Sequence, residues 1–558
     1  MFIRVKTTPN SPRKGVQIVA SVRDGNKVKQ RIIRHVGIAM DDKELAKLME
    51  LAEYIKARLE NENQLTLFPA EEMAVMAIEA RKRDIDDKPL PVDLKQLEEE
   101  QRSIIGIHEI YGKLYDELGF NKALPNPKRQ IAASMLLKHI VLARIANPLS
   151  KRASVVMLEE DFGINLKLDQ VYQMMDKLDE TVIKRVQDQA YYSTKQILGG
   201  KINVMFYDAT TLYFESFSED ELKENGYSKD FKFNQPQVLL AMFVTEQGLP
   251  IGYEVFSGSF YEGHTLLPIL EGLKARYDLG KVVFVADRGM LSDNNLQLLE
   301  AHGFYYIVGA RIRNMNARIS KQILDRSNYI GDADNYHMDF ILENDRRIVV
   351  NYNAKRARKD SHDRETAITK LQKKLQRSKD PSSLISNYGY KKYLVIEGEA
   401  KIKIDQAKLA KEASWDGLHG IITNIKDMSS EAAMSHYRGL WQVEESFRIT
   451  KHDLKVRPIY HWTPSRIKAH LCIAFMSFTC VRQLEYRVQL QYKKMSPEAI
   501  RKELLHSQIS ILKNKRTQER YCVPSKVSQD SKKIYHLMGI KHSTVPFKLE
   551  KIASRKVS

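Results

Sequence analysis

The sequence predicts an α/β core split by a mixed β/α insertion, preceded by a short β-meander and an all-α domain. Three observations predict it. Between Lys201 and Gly309, apolar runs of strand length (KINVMFYDA, QVLLAMFV, LPIGYEVF, VVFVAD, FYYIVG) alternate with helical periods at 264–276 and 292–302. Residues 103–200 keep a helical period nearly throughout, with breaks at Pro125, Pro127 and Pro148. Residues 2–36 alternate apolar and polar in FIRVK, VQIVASV and KVKQRIIRHV, separated by Pro and Gly-Asn signals.

Residues 1–65 therefore read as a basic β-meander followed by an amphipathic helix from about Asp41 to Leu59. Residues 66–102 read as a linker, because DIDDKPLPVDLKQLEEEQ (84–101) is acidic and contains prolines. The all-α domain is expected at 103–200 and the first part of the core at 201–310. The order there is three strands in meander, helix, strand, helix, strand, which is the order of an RNase H-like domain. An insertion is expected at 311–415, where partly β segments (YHMDFILENDRRIVVNYN, YKKYLVIEG) flank a basic helix. The core resumes at 416–500 with a strand at GIITNI and a long helix from Ser429. A basic C-terminal region closes the chain at 501–558.

Composition narrows the function. The 558 residues are 43% hydrophobic and 9% aromatic, enough to build cores and too much for a disordered chain. The longest apolar run, Leu471 to Val481, is too short for a bilayer span of ~20 residues. The N-terminus MFIRVKTTPNSPRKG lacks the apolar core of a secretory signal, so a cytosolic protein is expected. Only three cysteines occur, none in a C-x-x-C pair, so any metal would be held by oxygen ligands. The net charge of +19 sits at the ends: residues 1–36 carry nine Lys/Arg against one acid, and residues 501–558 fourteen against four. A further cluster, Lys355 to Lys379, has ten bases and three acids. Clustered cations favour a polyanion through counterion release, and nucleic acid leads. Arg4, Lys6, Arg13, Lys14, Arg31 and Arg34 of the meander are candidate DNA contacts.

Two acids stand at the ends of apolar strands, Asp208 in INVMFYDATTLYFE and Asp287 in KVVFVADRGM, and Glu444 lies in SHYRGLWQVEESFRITK. Three such carboxylates suit a pair of Mg²⁺ ions, which prefer oxygen ligands and leave positions open for phosphate. Each acid alone reads equally as a turn former or helix cap. On one continuous helix Tyr437 and Lys451 would each lie about 20° from Glu444 and Arg448 about 40°. That face offers an acid for metal and cations for phosphate oxygens, or else a plain ladder of surface ion pairs.

The motifs YDATTLYFE, GYSKD, LPIGYEVFSGSFYEGHT, VADRGM, KRARKDSHDRE and YRGLWQVEESFRITKHDLKVRPIYHW carry a resemblance. They resemble the D-D-E transposases of bacterial insertion sequences, in the IS-four superfamily, and within it the branch named for element sixteen-thirty-four. The resemblance runs over nearly the whole chain. It implies that Asp208, Asp287 and Glu444 are catalytic ligands for two Mg²⁺ ions, with Mn²⁺ able to replace them. The family motif Tyr-x2-Arg-x3-Glu-x6-Lys maps onto Tyr437, Glu444 and Lys451, while its Arg position holds Leu440. Arg438 or Arg448 would then supply the cation. The resemblance further implies binding of terminal inverted repeats, strand transfer to target DNA, and a homodimer or larger synaptic complex. Two alternatives stay open: a nuclease of the same fold that only hydrolyses, and a non-catalytic DNA-binding descendant. Trp415, one of three tryptophans, is expected either to stack on an extruded base or to pack between the insertion and the sheet.

Overall fold

The computed structural model describes residues 2–7, 14–24, 27–39, 42–61, 92–126, 129–214, 218–226, 235–260, 265–277, 282–288, 292–332, 335–377, 393–397, 401–457, 459–542 and 545–549. Two compact units make up the chain, one of residues 202–449 and the other of residues 1–201 with 450–558. The second of these begins with an antiparallel meander of β1 (Phe2–Thr7), β2 (Lys14–Asp24) and β3 (Lys27–Ala39). Val16, Ile18 and Val19 are buried, and helix α1 (Asp42–Asn61) follows. Gly37 of β3 has Leu48 of α1 so near that a Cβ would meet it at 2.8 Å, so the absent side chain permits the close packing.

Strand β4 (Leu97–Ile104) leads into α2 (Gly106–Glu117), α3 (Ile131–Ala146), α4 (Lys151–Phe162), α5 (Leu168–Met175) and α6 (Glu180–Ile197). Helix boundaries follow local chemistry. Ser150 and Asp179 cap α4 and α6 by accepting from the Ala153 and Val182 amides, and Gly163 ends α4 at φ +68°.

In the 202–449 unit, β5 (Val204–Tyr213), β6 (Gln237–Thr245) and β7 (Pro250–Ser257) form an antiparallel meander. Helix α7 (Leu266–Arg276) returns the chain to β8 (Val283–Ala286), parallel to β5, and α8 (Asp293–Ala301) to β9 (Tyr305–Ala310), parallel to β8. After α9 (Ala317–Leu324) come β10 (Ile330–Asp332), β11 (Asn335–Ile341), β12 (Arg347–Asn353) and α10 (Ala354–Arg377). The hairpin β13 (Leu394–Glu397) and β14 (Lys401–Ile404), then α11 (Gln406–Ala413), precede β15 (Leu418–Thr423). One nine-stranded mixed sheet results, in the order β10-β11-β12-β15-β9-β8-β5-β6-β7. Every residue of β6 is buried, as a strand covered on both faces requires. The expected insertion at 311–415 does not stand apart: β10, β11 and β12 extend the core sheet through β15.

Helices α12 (Ser430–Arg438) and α13 (Trp441–Arg448) close this unit. The continuous helix expected from Ser429 is broken at Gly439–Leu440, and a π-helical turn, Ile449–Asp453, follows α13. Angular positions computed at 100° per residue therefore do not carry from Tyr437 to Lys451.

The remainder of the other unit comprises α14 (Pro464–Gln491), α15 (Pro497–Leu505), β16 (Gln508–Asn514), β17 (Arg520–Pro524), α16 (Gln529–Leu537) and β18 (Phe547–Leu549). Helix α14 is buried along most of its length, as its apolar run predicts, and packs against α2, α3 and α6. Among the described residues no helix is long and apolar enough to cross a membrane. The acidic end of the expected linker is strand β4, which joins the sheet β18-β17-β16-β4. Its glutamates find cations there: Glu100 accepts two bonds from Arg520 at 2.6 and 2.7 Å, and Glu98 pairs with Lys515 at 3.3 Å.

Candidate active site

The strand register brings two acids together. Tyr207 of β5 pairs in parallel with Ala286 of β8, so Asp208 and Asp287 are the next residues along neighbouring strands. Adjacent strands lie ~4.8 Å apart, and equivalent residues of a parallel pair point to one face. Asp208 shares its face of β5 with Phe206, and Phe206 packs beneath Gly439 at the break between α12 and α13. That break matters. A Cβ at Gly439 would meet the Phe206 ring at 2.5 Å, so only glycine lets the chain settle this closely on β5. Helix α13, which carries Glu444, packs over β5 and β6.

Tyr437 of α12 is buried and donates its hydroxyl to Asp287 Oδ1 at 3.3 Å. Burial, reinforced by the Asp287 charge, raises the phenol well above its ordinary pKa, so it remains a proton donor. Space for it is made by Gly309 of β9, where a Cβ would fall on the Tyr437 hydroxyl. The Tyr437 ring also packs on His419 of β15, centroids 5.1 Å apart. Burial, with the charges of Arg356 and Arg288, lowers His419 to about 4, so its imidazole is neutral at pH 7.

Asp287, Tyr437, Arg438, Leu440 and Glu444 line one open cleft of about 740 Å³. Lys355, Arg356 and Lys359, from the first turns of the basic helix α10, line it too, beside Asp360 and Asp363. Arg438 donates to Asn351 Oδ1 at 3.2 Å and lines the cleft beside Leu440, which this chain has at the motif's arginine position. A neighbouring hollow of about 390 Å³ gathers Arg288, Arg311, Arg313 and Arg356 around His419. Helix α12 is held in place by buried Arg347, which donates to Asp339 at 2.8 Å, to Ser430 Oγ at 2.7 Å and to the Met428 carbonyl.

Other expected residues fall elsewhere. Arg448 is engaged by Glu445 through two bonds of 2.7 Å and is not among the residues lining the cleft. Lys451 sits on the π-helical turn and belongs to the other unit. Trp415 is 6% exposed, the burial of a packed indole rather than one offered to a base. In the meander Arg4 bonds Gln17 at 2.7 Å and Gln30 at 3.1 Å, and Lys14 bonds Asp42 at 2.7 Å. Lys6, Arg31 and Arg34 are exposed. Arg13, His264 of the motif LPIGYEVFSGSFYEGHT and residues 227–230 of the motif GYSKD lie outside the described residues. His419, Gly309 and the Arg288 and Arg311 pair escaped the sequence reading, since only strand pairing brings them to the cleft. The basic character of 355–379 was the one signal for the α10 cations.

The donor set fits a hard divalent cation in kind: oxygen ligands, two of them on adjacent strand ends. Among the described residues, no three His, Cys, Asp or Glu side chains converge closely enough to hold an ion.

Such a fold and cleft define a mixed α/β protein with paired carboxylates at the centre of its sheet and cations around them. Residues 199–480 match the family described as Transposase DDE domain, and residues 3–67 match the N-terminal domain of IS1634 family transposases. The chain belongs to the DDE transposases, of the IS1634 type, and is an insertion-sequence transposase. No curated protein matches it. Among solved structures, it is similar to piggyBac transposase in a synaptic complex with hairpin DNA, at 10% identity and TM-score 0.36, over 72% of this chain and 76% of that one. It is also similar to Mos1 transposase in a paired-end complex with the left transposon end, at 13% identity and TM-score 0.14, over 48% and 73%.

Proposed function

We propose that Asp208, Asp287 and Glu444 are the catalytic carboxylates of an RNase H-like core that cuts DNA at the element's ends and joins the freed 3′-hydroxyls to target DNA. The observation that carries this is the register of Asp208 and Asp287 on parallel neighbours, with the Glu444 helix lying over β5. These residues would hold two Mg²⁺ ions, or Mn²⁺ in their place. Bound there, the ions supply activation of a water or 3′-hydroxyl and stabilise the leaving oxygen. Tyr437 fixes the Asp287 carboxylate by donating to it, and cannot itself take the proton from the nucleophile. Lys355, Arg356, Lys359 and Arg438 hold the strand by its phosphate oxygens in the open cleft. The exposed cations of β1 and β3 take up the flanking end of the element, and a second copy of the chain completes the synaptic complex. Trp415, 6% exposed, is a packed indole and does not stack on DNA.

Asp208→Asn, Asp287→Asn and Glu444→Gln should each abolish nicking and strand joining on end-containing DNA with Mg²⁺, while DNA affinity stays within about threefold. Cutting by any of the three at near wild-type rate would remove that residue from the site. Products that are nicked but never joined would favour a hydrolytic nuclease.

A further inference from the structure

Beside the carboxylate cleft lies the open hollow of about 390 Å³ whose arginines the proposed function leaves largely unused. Strand register builds it. Ala286 of β8 pairs in parallel with Val308 of β9, so the chain leaving β8 through Asp287 and Arg288 runs beside Gly309 and Ala310. A Cβ at Gly309 would meet the Arg288 Cβ at 3.2 Å. Gly420 of β15 pairs with Ala310, which sets His419 opposite Arg311. Arg311 in turn donates to the Arg288 carbonyl at 3.4 Å. The two arginines are thus held together at adjacent strand ends, immediately beyond Asp287.

What the hollow offers a ligand is charge. Its apolar lining, Ile312 and Leu418, is only 6% exposed at each residue, whereas Arg288, Arg311, Arg313 and Arg356 are all exposed. Two of the four are engaged: Arg313 pairs with Glu412 at 2.9 Å, and Arg356 stands 3.9 Å from Asp360. Asp360, the one carboxylate among the lining residues, also accepts from the Gly417 amide at 3.0 Å. Arg288 and Arg311 have no acidic partner among the described residues. Neighbouring guanidiniums with unspent donors match the oxygens of a phosphate group.

Continuity says which phosphate. Arg356, Asp360 and His419 line both this hollow and the cleft of Asp287 and Glu444. A strand whose scissile phosphate lies at the carboxylates therefore passes from one hollow into the other. With a rise of ~3.3 Å per residue of β-strand, Arg288 stands close enough to Asp287 to meet the same strand a nucleotide or two away. A free anion would use the arginines but not the shared wall.

We propose that Arg288 and Arg311 hold one backbone phosphate of the strand being cut, within two nucleotides of the scissile phosphate. The inference rests on the proposed function, which places the scissile phosphate at Asp287 and Glu444.

The test measures affinity and its salt dependence with the full chain in metal-free buffer, so that no cutting is needed. The probes are duplexes of element-end DNA in which single phosphates within three nucleotides of the element boundary, on the cut strand, are neutral methylphosphonates. Inorganic phosphate serves as competitor. In wild type, neutralising one or two of these positions should weaken binding about fivefold to tenfold. Arg311→Gln should weaken binding of unmodified DNA by a similar factor, flatten the salt slope by about one unit, and lose no more when that phosphate is neutral. Its melting temperature should match wild type, since Arg311 is exposed. Arg311→Lys should regain part of the affinity. Arg313→Gln, which removes an arginine committed to Glu412, should stay sensitive to the neutral phosphate. Losses that multiply at every position in Arg311→Gln as in wild type would overturn the proposal. Binding of inorganic phosphate that Arg311→Gln abolishes, with no coupling to any DNA phosphate, would overturn it in favour of a free-anion site. Cutting is scored separately with Mg²⁺. An Asp287→Asn chain that still cuts, with the coupling to Arg311 intact, would fail the carboxylate assignment and leave the arginine site standing.

Discussion

Asp287 depends on a chain of small accommodations around it. Its carboxylate accepts from Tyr437, the Tyr437 hydroxyl occupies the space that Gly309 leaves open, and the Tyr437 ring rests on a His419 kept neutral by burial. A hydrogen bond to an ionised acceptor is worth about 1.5–3 kcal/mol, and at 3.3 Å the lower end applies. Tyr437→Phe should therefore slow nicking about tenfold while leaving the thermal midpoint nearly unchanged. Gly309→Ala should slow it at least as much, because the added methyl displaces the phenol rather than deleting its hydroxyl. Nicking rates and melts of the two variants check both expectations, and a Gly309→Ala enzyme at wild-type rate would detach Tyr437 from catalysis. The aspartates were legible because an apolar strand ending on a charge is conspicuous in one dimension. Gly309 and His419 were not, because what distinguishes them is contact with Tyr437, which strand and helix packing alone brings to them.

At the scale of elements, local pattern identified the segments and non-local pairing decided their use. The β character of FILENDRRIVVNYN was readable, but not that β11 and β12 would lengthen the core sheet through β15. Strand β4 read as a linker because LEEEQRSI is too polar to suggest a strand, and its partner β16 lies some four hundred residues on. The break at Gly439 was hidden for another reason: glycine is tolerated inside helical patterns, and only contact with Phe206 makes it necessary here. Where helices meet, burial leaves a measurable pH signature. His108 of α2 lies against His139 of α3 and Phe162 of α4, at centroid distances of 5.4 and 5.0 Å, and burial, with the His139 and Lys138 charges, lowers it to about 3. The unfolded chain takes up a proton near pH 6.5, whereas the folded site stays neutral. This contribution is thus complete above 6.5 and lost as pH falls towards 3, amounting to about 2 kcal/mol by pH 5. Urea unfolding of wild type and His108→Phe at pH 7 and pH 5 should show the smaller acid loss in the variant.

Across the whole molecule, a formal charge of +19 does not measure the charge available to DNA. The C-terminal excess is partly consumed at home: Arg520 and Lys515 are paired with Glu100 and Glu98 of β4, and Lys548 with Glu519. These acids are what made the 84–101 segment look like a linker, and their role is to neutralise the basic sheet on which they pair. In the meander the balance differs. Arg4 and Lys14 are internally bonded, yet Lys6, Arg31 and Arg34 are exposed, with no ion pair to an acid among the described residues. Each phosphate neutralised contributes about 0.9 to the slope of log affinity against log salt. Replacing Lys6, Arg31 and Arg34 together by glutamine should flatten that slope by about two to three units and weaken binding of element-end DNA at low salt. Replacing Lys515 and Arg520 by glutamine should change the slope by less than about one unit, and should instead lower stability slightly through the loss of two exposed ion pairs. Salt titrations of the two multiple variants decide the matter. Equal slopes would mean that the C-terminal cations leave their glutamates to meet DNA, and that the pairing on β4 is only a resting arrangement.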